Sequence, residues 1–239
     1  MDINKKRGFR YVLVIVAFAF SISQQASAGL ISVVADVNAS NSNNFSFYDA
    51  ILGSSQDVVF SRSISQQSSI FSHYNSISGV TATQNSSTLT SAILNTIDLL
   101  VVTSNFNNPF NYSVSEMSSI AGFVTGGGSV LMISEATNIT SFNTFLSGIG
   151  SSIRYTGARV GVQQNNIGAE TTSLGSLNPF SVDAYNTLSG GTAVYNSNSG
   201  TVVAFESFRE PTSVTEPSTL AIFALAVIGL VSRRFKTTS

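Results

Sequence analysis

Four short apolar runs constrain this chain more than any other feature. They are Leu30–Val37 (LISVVADV), Gln56–Phe60, Ile97–Ser104 (IDLLVVTS) and Ser129–Ser134 (SVLMIS). Each is too short for a helix buried all round; Gln56–Phe60 reads as a strand, and the other three are rich in Val, Ile and Leu, as strands covered on both faces are. Between and after them lie segments with helical spacing. Phe45–Leu52 (FSFYDAIL) is one, with Gly53 placed to end it. In another, Ser113-Val114-Ser115-Glu116 has capping-box spacing, Met117, Ile120, Ala121 and Val124 share one face, and Gly126-Gly127-Gly128 stops the helix. Ile139–Ile149 is a third, with Phe142, Phe145, Leu146 and Ile149 on one side. Leu89–Asn95 reads as a short helix, Ser152–Tyr155 as a further strand and Thr201–Phe205 (TVVAF) as a last one. Strand alternating with helix predicts an α/β domain, three-layered, around a mainly parallel sheet. Residues 61–88 show no clear period. Residues 156–200, rich in Gly and Asn, read as loops and short edge strands.

The two ends of the chain differ from this body. Lys5, Lys6, Arg7 and Arg10 precede the apolar stretch Tyr11–Phe20, and Ala26-Ser27-Ala28 follows. Basic, apolar, then small is the order of a secretory signal peptide, with a short transmembrane anchor as the alternative. Residues 1–28 are therefore expected to direct export through the Sec machinery, with the mature chain starting near Gly29. Residues 29–210 form the expected exported domain, and 211–239 a linker and tail.

Removing the ends changes the charge balance. Residues 29–215 hold four arginines and no lysine against ten carboxylates, a net charge of −6. A protein that tracks nucleic-acid phosphates needs the opposite sign. The chain has no cysteine. An exported protein without disulfides must be held by packing, which a body of this length can supply.

The tail reads Glu216-Pro217-Ser218, then the apolar run Leu220–Val231, then Arg233-Arg234. As a helix the run spans about 18 Å against about 30 Å of bilayer hydrocarbon, marginal for a lasting anchor. Pro217 is tolerated just before a helix, and the basic end would stay on the cytoplasmic side. This order resembles the PEP-CTERM sorting signal of Gram-negative bacteria, with Thr215 where that family has its first Pro. The resemblance implies recognition by an exosortase, a membrane-embedded cysteine protease. It also implies transient anchoring in the inner membrane, delivery to the cell surface or medium, and association with exopolysaccharide.

Part of the body is also similar to a known family. From I-D-L-L-V-V-T-S through F-V-T-G-G-G-S-V-L-M-I-S-E to S-F-N-T-F-L-S-G-I-G, it resembles class I glutamine-amidotransferase-like domains. That resemblance spans about residues 30–150 and implies a flavodoxin-like fold. The chemistry departs from the family. Those enzymes attack with a Cys thiolate managed by His; this chain has no Cys, and its one histidine is His73.

Ligands of open α/β sheets gather at the carboxyl ends of strands. Asp36 ends the first apolar run and Glu135 follows the fourth. They would either meet there, as an acid–base pair or a Ca²⁺ site, or simply cap nearby backbone amides. Asp98 reads as a turn residue. A lone His73 cannot make a zinc site, which wants three or four ligands, and reads as structural. Gly126-Gly127-Gly128 precedes a strand rather than a helix and is no phosphate cradle. No Gly-x-Ser-x-Gly occurs. No metal or cofactor is expected. The foremost expectation is a non-catalytic surface or matrix protein. A polysaccharide hydrolase using Asp36 and Glu135, or a small-ligand-binding module, are the rivals.

Overall fold

The computed structural model describes residues 28–208 apart from Ala158. Residues 1–27, with Ala26 of the signal peptide, lie outside it, as do Glu216, Pro217, Ser218, Arg233 and Arg234 of the tail.

The apolar runs form strands close to where periodicity puts them. They are β1 (Gly29–Val34), β2 (Asp57–Ser61), β4 (Leu99–Thr103) and β5 (Ser129–Ile133). With β3 (Thr81–Asn85) they pair in parallel, in the spatial order β3-β2-β4-β5-β1. The last strand, β11 (Gly200–Phe208), joins the free edge of β1 antiparallel, from Gly29 opposite Phe208 to Val34 opposite Val203. The sheet is thus mixed and mainly parallel, as expected. Its strand order is not the 2-1-3-4-5 of the flavodoxin-like pattern. The apolar runs are alike in character, so composition settles that they are buried and not which neighbours which.

Connection direction assigns the helices to faces. From β1 to β2 and from β2 to β3 the chain moves one way along the sheet; from β3 to β4 and from β4 to β5 it moves back. Right-handed crossovers then put helices on opposite faces. Helices α1 (Phe45–Leu52) and α2 (Ser68–Ser76) cover one face, where Phe47, Tyr48, Ile51, Ile70 and Tyr74 pack on Val34, Phe60, Val101 and Ile133. Helices α3 (Ser91–Leu94), α4 (Val114–Thr125) and α5 (Thr140–Gly148) cover the other, where Leu94, Ile120, Val124, Phe142 and Phe145 pack on Val33, Leu100, Val102 and Met132. Alternate residues of each strand serve the two cores.

The unread stretch 61–88 holds α2 and β3. Helix α2 buries only Ile70 and Tyr74, four apart, and the edge strand β3 buries only Ala82. Segment 156–200 contains the short strands β7 (Gln164–Ile167), β8 (Phe180–Val182), β9 (Leu188–Ser189) and β10 (Thr192–Ser197), after β6 (Arg154–Tyr155). It is not peripheral: Phe180 and Tyr195 complete an aromatic cluster with Phe47 and Tyr48. Asn44, buried at the start of α1, ties β8 down by donating to Ser181 O and accepting from Ser181 N.

Gly29 marks a close approach. A Cβ there would lie 1.8 Å from the carbonyl oxygen of Val124, near the end of α4. Gly29→Ala is expected to destabilise the domain by about 2–3 kcal/mol through overpacking, read as a lower midpoint in urea. An unchanged midpoint would mean that α4 does not press on β1.

Candidate functional site

Where neighbouring parallel strands send their helices to opposite faces, the strand ends leave a crevice. This sheet has two such places at its carboxyl pole, between β5 and β1 and between β2 and β4.

The first crevice holds both carboxylates anticipated from sequence. Val34 pairs with Ile133. Asp36 and Glu135 each lie two residues further on, so they stand level on neighbouring chains. The charge of Glu135 helps to raise the pKa of Asp36, so the two sense one another. Neither is open to solvent: both are 0% exposed. Asp36 accepts from the backbone N–H of Asn38 at 2.7 Å and of Asp183 at 2.7 Å. Glu135 pairs with Nε of Arg159. Its Oε2 has no hydrogen-bond partner among the described residues. Burial pushes Asp36 up to about 7, against the two amides that favour its charged form. Burial also raises Glu135, with Arg159 opposing.

Segment 156–200 closes this crevice. Asn186, fully buried, is the clasp: its backbone N–H donates to Ala35 O and its side chain exchanges two hydrogen bonds with the backbone of Ala136. Sequence reasoning found Asp36 and Glu135 but missed Arg159, Asp183 and Asn186. One signal was available, since Arg159 is among only four cations of the body.

The second crevice centres on Glu116. Ser113 and Glu116 form the expected capping box of α4. Glu116 does more than cap. It also accepts from Leu89 N at 3.1 Å and from the Arg62 guanidinium at 3.0 and 3.2 Å. Burial acts to raise its pKa. The amides of Ser113 and Leu89, the Ser113 hydroxyl and Arg62 outweigh it and hold Glu116 below the usual carboxylate range. Arg62 sits at φ 68°, an uncommon conformation for a non-glycine residue. Its guanidinium lies 4.4 Å from the centre of the Tyr112 ring, a cation–π contact. The Tyr112 hydroxyl donates to Ser61 Oγ.

Beside this crevice is a cavity of about 480 Å³. The loop after β4 supplies Asn107, Phe110 and Tyr112; the start of α5 and the loop before it supply Asn138, Thr140 and Thr144.

His73 lies elsewhere, on α2. Its Nε2 is 2.6 Å from Asp49 Oδ1 on α1, and its ring stacks on Phe45 at 3.9 Å. That fits the structural role. Asp98 accepts from the backbone N–H of Gln56 and Asp57, fastening the starts of β2 and β4. Among the described residues no group of three His, Asp or Glu could hold a metal ion.

Residues 213–234 match the PEP-CTERM protein-sorting motif. The chain thus carries the mark of an exported protein, sorted by an exosortase and destined for the cell surface. No curated protein matches the chain.

Proposed function

We propose that the body is a non-catalytic component of the cell surface or its matrix, delivered by an exosortase and associated with exopolysaccharide. The observation that supports this best is the fate of Asp36 and Glu135. A glycosidase acid and base need access to the scissile bond and to water. These two are sealed, one satisfied by two amides and the other neutralised by Arg159. The anticipated capping role describes Asp36 as it stands. Export through the Sec machinery and a passing stay in the inner membrane complete the reading.

Deleting residues 216–239 tests the delivery. The truncated chain is expected to fold, by circular dichroism and urea midpoint, and to be lost from the surface fraction. Delivery equal to that of the full chain would reject sorting by the tail. The rival hydrolase reading draws on the raised pKa of Asp36, which suits a general acid. Release of reducing ends from the producer's exopolysaccharide, abolished in Asp36→Asn, would replace the non-catalytic reading by that one.

A further inference from the structure

The cavity between the β4–α4 loop and α5 has a lining with a definite chemistry. Tyr112 is the partly exposed ring, backed by the buried Phe110 and Phe145, and Asn107, Asn138, Thr140 and Thr144 supply amides and hydroxyls. No lining residue is ionisable apart from the Tyr112 phenol, whose pKa is raised by burial. Much of the polar lining is uncommitted. Asn107 Oδ1 accepts from Thr137, and Asn138 Oδ1 accepts from the Thr140 backbone. Their side-chain nitrogens face no partner among the described residues, and neither do the Thr140 and Thr144 hydroxyls. The Ser141 hydroxyl oxygen accepts from Phe110 N and keeps its own proton to give.

We propose that this cavity is a subsite for a neutral saccharide. The proposal rests on the matrix reading above and names the place where contact is made. Sugars present apolar C–H faces that suit aromatic rings, and hydroxyls that both give and take hydrogen bonds, as amides and threonines do. The volume falls within the usual range for small-ligand sites, about 300–1,000 Å³. An apolar ligand would strand the amides and hydroxyls without partners. An anionic one would find no cation among the lining residues, and Arg62, which stacks on Tyr112, is engaged by Glu116. A uronic-acid polymer would also approach a body carrying −6 and no lysine. The ligand class is therefore an uncharged glycan.

Thr144 provides the test, being exposed on α5 and outside the core. The probes are dextran, laminarin and galactomannan as neutral polymers and alginate as the anionic one, each cast into native gels. Protein recovered from the producing cells is expected to be retarded by at least one neutral polymer and not by alginate. Thr144→Trp, which fills the cavity, is expected to weaken that retardation about tenfold, the loss of a hydrogen bond or two. Thr144→Val, which removes only a hydroxyl, should weaken it less and keeps the test open if the larger side chain impairs folding. Absence of retardation by every neutral polymer, retardation by alginate as strong as by them, or full retardation of both variants would overturn the proposal. The matrix reading fails separately: it falls if the wild-type protein does not co-fractionate with the producer's own exopolysaccharide. Co-fractionation of a Thr144→Trp protein as complete as wild type would leave that reading standing and remove this subsite.

Discussion

Glu116→Ala is expected to lower the stability of the domain by about 2–3 kcal/mol, because it strands a buried amide and opens a helix cap, while the ion pair it breaks is only half-buried, Arg62 being 38% exposed. The carboxylate is 4% exposed and serves four donors at once: Ser113 N, Ser113 Oγ, Leu89 N and Arg62. Alanine leaves the Leu89 amide, in the approach to α3, without its acceptor. It opens the capping box of α4 and frees an arginine held at positive φ beside Tyr112. Three segments far apart in sequence lose their common fastening. Ser113→Ala should cost only about 1 kcal/mol, because it removes one cap and leaves the ion pair. The measurement is the urea midpoint of each variant against wild type. If Glu116→Ala lost no more than Ser113→Ala, the carboxylate would be acting as a helix cap and nothing else.

The second large effect is on pH. Stability is expected to fall as pH rises from about 4 to about 7, the reverse of the common pattern for paired carboxylates. Asp36 has its folded pKa raised from 3.8 to about 7. Between those values the folded state holds a proton that the unfolded chain has released, so raising the pH favours unfolding. A shift of that size is worth about 4 kcal/mol at roughly 1.4 kcal/mol per unit. Glu135, also raised, acts in the same direction. Glu116 has the opposite sign. Its depressed pKa gives stability that is present above the ordinary carboxylate range and lost as pH falls through the folded value. Together they place the optimum near pH 4, where the Asp36 window opens. Urea midpoints across pH 3–8 would display it, and Asp36→Asn should flatten the limb between 4 and 7. A wild-type midpoint that climbs steadily from 4 to 7 would contradict the burial assigned to Asp36.

What could be read from the sequence follows the range of each interaction. The capping box of α4 joins residues three apart, so Ser113 and Glu116 were visible side by side. The central strands declare themselves by being apolar on both faces. Helix α2 and strand β3 have one covered side and an edge position, and their few apolar residues leave no period to find. The candidate site divides in the same way. Asp36 and Glu135 were legible because each directly follows a recognisable strand. Asp183, which binds Asp36 across 147 residues, and Asn186, which clasps Ala136 across 50, sit in a Gly- and Asn-rich stretch with no local signal. Glu116 was recognised for its short-range role. Its bonds to Arg62 and Leu89 depend on a crossover that composition does not specify.

The pairing of Gly29 with Phe208 sets where the two ends of the domain lie. Its first and last strands are neighbours running oppositely, so the chain enters and leaves at the same pole, the one where the parallel strands begin. The strand-end crevices and the uncharged cavity lie at the opposite pole, where the parallel strands end. Both ends of the described body are therefore gathered on one side and the candidate binding surface on the other, so a fusion made at Phe208 leaves that surface clear.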